Sequence, residues 1–388
     1  MIPTNPLFAG PFLLALATSV VTVSGVFLLY PVLPAIMAKF GVDEARVGLV
    51  ITVFTAPAVV LSPVFGVLAD LKGRRILLVV GLLTFGVGGI GGAFAQSFGS
   101  LLVCRAVQGV GLSALLPLTI VLISDLLPEH REIDGQGWKV AIDRVAMIAL
   151  PLAGGLLAAL SWRASFIPYG LVCVLAVIAW RCMPETIVDN PGSLRSYLGN
   201  TSRAIREPRL RVAYGVGFLR FFLDYGLFTY LPLLLAFHQG ATPAVVAIVI
   251  AISAGGSILT AISVGRLLTK ASSERLLSIA FFASAAALGT IPLLPSVWSS
   301  TMAAFIFGLA NGLISPLQKN LLTRRTPKSL KGGVVAFDRL IQQIAKSLSP
   351  SILGVLIIFS NIDTVFWVLS ALGLAGATIL IFISEAES

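Results

Sequence analysis

The sequence predicts an all-α integral membrane protein of twelve transmembrane helices, and three observations carry that prediction. Hydrophobic residues make up 57% of the 388, charged residues only 11%, and the mean hydropathy is +0.98. A soluble domain carries about 25% charged residues and could not hide this much apolar surface, whereas a bilayer solvates it directly. Apolar runs recur at the length of roughly 20 residues that a helix needs to cross about 30 Å of hydrocarbon. These runs are continuously apolar, which excludes the polar–apolar alternation of a lipid-facing barrel.

The expected spans lie near 11–37, 47–69, 76–96, 100–126, 137–160 and 165–183, then 212–236, 243–268, 276–295, 298–322, 333–358 and 364–384. The first run lacks a basic leader region and a small-residue cleavage site, so it reads as a retained span. The longest connection, 184–211, is polar and rich in Arg, Asn, Ser and Pro. It divides the chain into 1–183, an N-terminal six-helix half, and 212–388, a C-terminal one, joined by a linker.

Charge writes the orientation. The net charge of +10 would point to nucleic acid in a soluble protein, but here the basic residues cluster in short connections. Lys72, Arg74 and Arg75, the four arginines at 203, 206, 209 and 211, and Arg324 with Arg325 fall on one side. The other side holds only Lys39, Arg46 and Arg163. The positive-inside rule then places both termini and the linker in the cytoplasm, and the compact loops point to a bacterial inner membrane. Cys104, Cys173 and Cys182 fall within or at the ends of apolar runs without metal or disulfide spacing. His130 and His238 lie apart in loops. No nucleophile–base or metal constellation appears, so the chain is not expected to be an enzyme or to hold a cofactor.

The two halves repeat. Val140-Ala141-Ile142-Asp143-Arg144 returns as Val335-Ala336-Phe337-Asp338-Arg339, and Gly137 as Gly332, at one constant displacement. Gly109 and Pro117-Leu118 return as Gly308 and Pro316-Leu317, and Tyr30 aligns with Tyr230. A same-orientation repeat of six helices with a cytoplasmic linker implies two parallel halves around an axis along the membrane normal.

Between the second and third spans stands Gly66-Val67-Leu68-Ala69-Asp70-Leu71-Lys72-Gly73-Arg74-Arg75. It resembles the signature loop of the major facilitator superfamily, with Leu71 where a basic residue is usual. The second-half copy, Gly265 to Lys270, lacks the Asp. Asp125-Leu126-Leu127-Pro128 with Arg131 is similar to the family's acidic partner for that loop. Arg105-x-x-Gln108-Gly109-x-Gly111 looks like the family's intramembrane segment associated with proton coupling in drug antiporters. Gly137, Pro151, Gly154 and Gly155 resemble the antiporter motif of the fifth helix, although Ala146 and Leu150 replace two of its glycines. The resemblance covers the whole chain. It implies the major facilitator fold, two parallel six-helix halves around a central cavity, and places the chain nearest the twelve-helix drug–proton antiporter branch. It also implies a cytoplasmic lock at Asp70, Arg74 and Asp125, and a helix-seven cavity wall of Phe221, Tyr225 and Phe228.

Ionisable residues within spans are functional candidates because their burial is costly. Arg220 and Asp224 share a helix face, and Asp224 lies about 18 Å from the start of its span, near mid-membrane. Asp224 is expected to be the proton site, with Arg105 and Arg220 in the coupling. The alternative is a permanently ionised Asp224–Arg220 pair. Asp143, Arg144, Asp338 and Arg339 sit at shallower, matching depths and are expected to form a cytoplasmic gate with the signature loop. The alternative there is static pairing within each half. Lys346 lies as deep as Asp224, where it could neutralise that carboxylate or hold an anionic group. Cations thus outnumber carboxylates, which favours neutral, zwitterionic or anionic substrates. Thr18, Thr22, Tyr30, Gln108, Asn311, Ser315 and Gln342 complete the expected cavity, against the plainer reading of helix-to-helix hydrogen bonds.

The expectation is a secondary active transporter, working as a monomer and exporting small molecules in exchange for protons, with the proton gradient as energy source. The alternatives are proton-coupled uptake of a nutrient, transport of a lipid, and, more remotely, a non-transporting membrane sensor.

Overall fold

The computed structural model describes residues 10–185, 199, 207, 210–269, 271–326 and 331–386. Most of the expected linker lies outside these residues, with Arg195, Arg203, Arg206 and Arg209, and so do Lys270 and Lys328. Among the described residues there is no strand, and twelve helices are long and apolar enough to cross a membrane.

The principal helices are α1 (Gly10–Phe27), α2 (Leu49–Lys72), α3 (Arg74–Gly91), α4 (Phe98–Leu126), α5 (Glu129–Leu160) and α6 (Tyr169–Cys182). They continue as α7 (Arg211–Gln239), α8 (Pro243–Ala261), α9 (Ser273–Thr290), α10 (Val297–Arg325), α11 (Lys331–Ile358) and α12 (Ile362–Ala386). Helix starts follow local capping chemistry. Ser97 and Ser296 open α4 and α10 with capping boxes, and Thr242 and Ser272 cap α8 and α9. Gly240, at φ 66°, ends α7 in the left-handed conformation that glycine adopts without strain.

Some boundaries differ from expectation. The first span runs Gly10–Phe40 but breaks after Phe27 into a 3-10 turn at Tyr30–Val32, because Pro31 and Pro34 cannot donate to a continuing helix. Helix α5 starts at Glu129, two turns before the apolar run. Pro128 stands at its N-cap and Glu129 and Glu132 lie in its first turn, where carboxylates suit the helix dipole. The expected span 243–268 stops at Ala261 and resumes as a short helix, Val264–Leu267.

The chain forms two compact units, Met1–Val32 with Val53–Tyr197, and Leu33–Thr52 with Leu198–Ser388. The second takes in the hairpin Leu33–Thr52, which the six-and-six division assigned to the first half. In the first unit α3 packs on α4 and α6, and α1 on α4, α5 and α6. In the second, α9 packs on α10 and α12 in the same pattern, α8 on α10, and α7 on α11.

The repeat is visible at single contacts. A Cβ on Gly109 would overlap the Phe54 carbonyl oxygen, and one on Gly308 would overlap the Ser253 carbonyl oxygen. Gly308 and Ser253 are the 199-residue displacements of Gly109 and Phe54, so both units bring the same two helices into backbone contact at the same place. Small residues permit such approach, and without a hydrophobic drive between helices it supplies much of their cohesion. Large apolar side chains such as Val60, Leu156, Leu171, Trp298 and Phe382 point outward, as lipid requires.

These contacts set a stability test. Gly308→Val should lower folding stability by about 1–3 kcal/mol through overpacking. Gly215→Ala, where a Cβ meets nothing within 4 Å, should leave it unchanged. Thermal unfolding in detergent reads both; an unaffected Gly308→Val would refute the close-contact account.

Candidate functional site

Four groups of charged residues stand inside the units, each answered by different chemistry. At the 2–3 connection of the first unit, Gly73 adopts φ 90°, open to glycine and strained for other residues. The turn folds Arg74 back, where it is buried and pairs with Asp70 at 3.5 Å and with Asp125 at the end of α4. Arg75 pairs with Glu185 at 3.1 Å and lies over the Trp180 ring. One guanidinium thus holds the ends of α2, α3 and α4 together, a geometry suited to Arg because its planar fork reaches two carboxylates.

Deeper in the same unit Arg105 is 0% exposed. Its Nη2 donates to the Gly25 carbonyl at 2.7 Å, its Nη1 donates to Gln108 Oε1, and its guanidinium lies 4.0 Å over the Phe54 ring. The Tyr169 hydroxyl donates to the Ser24 carbonyl at 3.0 Å and is within hydrogen-bonding reach of Arg105 and Gln108. Glycine is required at 25 because a Cβ there would overlap the Phe54 ring. Carbonyl dipoles and a π-face therefore solvate this charge in place of water. Sequence reasoning found Arg105 and Gln108 but missed Phe54 and Tyr169, which look like ordinary apolar-span aromatics.

Asp143 on α5 accepts from Ser19 Oγ at 2.6 Å and pairs with Lys139 at 2.7 Å. Its repeat-mate Asp338 on α11 is buried, with Oδ1 accepting from Gln318 at 2.8 Å and Oδ2 from Gln342 at 2.6 Å. Each carboxylate is thus satisfied inside its own unit, one by a lysine and a hydroxyl, the other by two amides. Arg144 and Arg339 follow them on the same helices.

In the second unit Arg220 and Asp224, one turn apart on α7, both engage Asn311 of α10. Arg220 Nε donates to Asn311 Oδ1 at 3.0 Å, and Asn311 Nδ2 donates to Asp224 Oδ1. Asn311 was foreseen as a cavity residue, and its place as a bridge between the two charges was not. Around Asp224 the α7 stripe Phe221, Asp224 and Tyr225 is only half-buried, whereas Arg220, Asn311 and Phe228 are buried. The Arg220 guanidinium and the Lys346 ammonium both lie 4.5 Å from the Phe221 ring centroid. Lys346 is 5.9 Å from the Tyr225 centroid and donates to Gln343 at 2.8 Å.

The remaining expected cavity residues are placed more plainly. Thr18 and Thr22 donate to carbonyls of their own helix, at Leu14 and Ser19. Tyr30 packs edge-on to Phe27, Phe228 packs edge-on to Phe307, and Ser315 is buried. Gln342 serves Asp338, as above.

The Leu33–Thr52 hairpin supplies contacts that the sequence did not flag. Within the second unit Thr52 Oγ1 donates to the Ser347 carbonyl at 3.2 Å, and Ser351 Oγ donates to Thr52 Oγ1 at 2.9 Å. A Cβ on Gly354 would overlap the Ala45 carbonyl oxygen, and one on Gly48 would come 2.8 Å from the Tyr230 hydroxyl. That hydroxyl donates to the Pro350 carbonyl at 2.7 Å.

Comparison with known proteins follows the same lines. The quinolone resistance protein NorA of Staphylococcus aureus (strain N315) is 30% identical over 154 residues, covering 40% of this chain and 40% of that protein. The bacillibactin exporter of Bacillus subtilis (strain 168) is 32% identical over 149 residues, 37% of this chain and 36% of that protein. The matched stretch thus spans about two fifths of the length of these curated relatives. A bacterial homologue of the human lysosomal transporter Spinster, solved inward-facing and unoccupied, superposes with a TM-score of 0.77 at 17% identity, over 96% of this chain and 94% of that one. The human organic anion transporter MFSD10 gives 0.68 at 17% identity, over 95% and 98%. The sequence model of the Major Facilitator Superfamily matches residues 14–350 and 213–388. With twelve membrane-length helices, the repeated packing and this match, the chain belongs to the major facilitator superfamily.

Proposed function

We propose that this protein is a secondary active transporter that exports small organic molecules across a bacterial inner membrane in exchange for protons. It works as a monomer with both termini in the cytoplasm, and Asp224 is its proton site. The observation that carries this reading is the Arg220–Asn311–Asp224 arrangement. A mid-span carboxylate on a half-buried face is held by a neutral amide, and the amide's other end is held by a guanidinium. Asn311 can keep its hydrogen bond to Asp224 whether that carboxyl is charged or protonated, because a carboxylic acid keeps acceptor capacity beside its O–H donor. The site can therefore change charge without losing its scaffold.

Exchange follows from competition. A proton on Asp224 and a substrate beside it each favour a different access state, and each shifts the equilibrium by its differential affinity. Arg105 serves this scheme as a fixed charge in the first unit, its solvation built from Gly25, Gln108, Phe54 and Tyr169. The Asp70–Arg74–Asp125 cluster, Asp143 with Arg144, and Asp338 with Arg339 act as the cytoplasmic gate, trading hydrogen-bond partners as access alternates. The relatives named for quinolone resistance and bacillibactin export support an exporting direction. The substitution of Ala146 and Leu150 for motif glycines favours the second reading, proton-coupled uptake.

Two measurements test the scheme. In everted vesicles, addition of a transported compound should dissipate a preformed proton gradient with wild-type protein. Asp224→Asn should abolish the response and Asp224→Glu should retain it with an altered pH profile. A full response from Asp224→Asn would eliminate Asp224 as the proton site, and accumulation in right-side-out vesicles driven by an inward proton gradient would turn the reading to uptake. At the signature loop, Arg74→Gln should destabilise the protein by about 1–3 kcal/mol by leaving two carboxylates without their shared cation. Adding Asp125→Asn should recover part of that loss in thermal unfolding, and an equal or larger loss in the double variant would contradict the shared-cation account.

A further inference from the structure

The hairpin Leu33–Thr52 joins α1 to α2, yet it packs within the second unit, and its charged tip gathers acid groups that the transport scheme does not use. Val47, Val50 and Ile51 are fully buried, and the Ala45 backbone lies against Gly354. Asp43 caps the short helix Glu44–Val47, accepting from the Arg46 amide at 2.8 Å and pairing with the Arg46 guanidinium at 3.7 Å. Glu44 is half-buried and lies within electrostatic reach of His238, at the end of α7, and Asp363, in the first turn of α12. His238 Nδ1 stands 3.9 Å from Asp363 Oδ1. That oxygen is shielded from solvent and accepts no hydrogen bond among the described residues.

The cluster is short of positive charge. Asp43, Glu44 and Asp363 face Arg46, which pairs with Asp43, while Lys39, the hairpin's other cation, is exposed. From α11 and its connection to α12 no ionisable residue enters between Ser347 and Ile362. Tyr230 of α7 lies within reach of Glu44 and gives its hydroxyl proton to the Pro350 carbonyl. A neutral imidazole carries one N–H, and 3.9 Å is too long for a hydrogen bond to Asp363. An imidazolium carries a proton on both nitrogens, so it brings Asp363 a donor and balances Glu44. Histidine is the side chain whose charge changes between about pH 5 and 8, and His238 is open to solvent.

We propose that Glu44, His238 and Asp363 form a pH-dependent latch that holds the hairpin on the second unit when His238 is protonated. His238 and Asp363 belong to α7 and α12, which pack on one another within that unit, so the difference between a seated and a released hairpin lies in Glu44. Seating brings Glu44 to His238 and to Asp363. The first approach favours an imidazolium and the second a neutral acid, so the seated hairpin binds more protons than the released one. The stabilisation is therefore fully present below the pH at which the released form gives up its proton, and is lost as pH rises through titration of the seated form. Because the hairpin continues α1 and α2, the latch acts on the ends of two spans. With both termini in the cytoplasm, the 1–2 connection faces outside and the latch responds to external acidity. That sidedness rests on the orientation proposed above, whereas the latch itself does not.

The test is backbone hydrogen exchange of the purified full chain in nanodiscs, where both faces meet one pH and orientation does not enter. Comparing variants at a single pH cancels the intrinsic pH dependence of exchange. At about pH 5.5 the amides of 44–52 should exchange about fivefold faster in His238→Gln than in wild type, the scale of a partly exposed ion pair. At about pH 8 the two should match. His238→Lys, whose charge is fixed, should protect the same amides at both pH values. In a Glu44→Gln background, His238→Gln should change nothing, because its partner on the hairpin is gone. Peptides from α9 and α10 should exchange alike in every variant, which shows that the fold is intact. Equal exchange of wild type and His238→Gln at the lower pH, the same difference at both pH values, or an undiminished effect in the Glu44→Gln background would each overturn the latch. Gradient dissipation reads Asp224 in a separate assay, so failure of the latch and failure of the exchange mechanism register apart.

Discussion

A charge inside a membrane-spanning helix has to be answered by the protein itself, because lipid offers neither hydrogen bonds nor screening. Much of this structure is organised by that constraint. Arg105 is solvated by a carbonyl, an amide and a π-face. Asp338 is solvated by two glutamines. Asp143 takes a lysine and a serine, and Arg220 and Asp224 share one asparagine. Each solution needs partners from other helices, so placing the charges and packing the helices are one problem.

Close backbone approach is how those partners come within reach. Gly25 gives room to the Phe54 ring under Arg105, and Gly109 lets α4 lie on the α2 backbone beside it. In the second unit Gly217 faces Gln318 and Asp338, where a Cβ would overlap the amide that holds the carboxylate. The glycines of the intramembrane motif therefore have a steric meaning: they set the distance at which the polar groups meet. Gly154 fits the same account, since a Cβ there would overlap the Leu28 carbonyl oxygen.

The two units solve the same packing problem with different chemistry. Gly109 against Phe54 and Gly308 against Ser253 are one contact made twice, yet Arg105 has an alanine, Ala304, as its repeat-mate, and Asp224 has a serine, Ser24. Duplication preserved the backbone contacts and left the polar positions free to diverge. The first unit thus holds a cation whose partners are rigid carbonyls and rings. The second holds a carboxylate and an ammonium on half-buried faces.

The sequence by itself determined the twelve spans, the internal repeat and the signature loop. Hydropathy and charge are properties of each segment alone, and a 20-residue apolar run has few alternatives in a bilayer. The tertiary structure decided which group answers which charge. That Asn311 bridges Arg220 and Asp224, that Tyr169 and Phe54 belong with Arg105, and that Leu33–Thr52 packs into the second unit all depend on the rotation and axial register of neighbouring helices. A rotation of one residue turns a side chain by 100° with no effect on hydropathy. Sequence patterning is blind to that angle, whereas hydrogen bonds are decided by it.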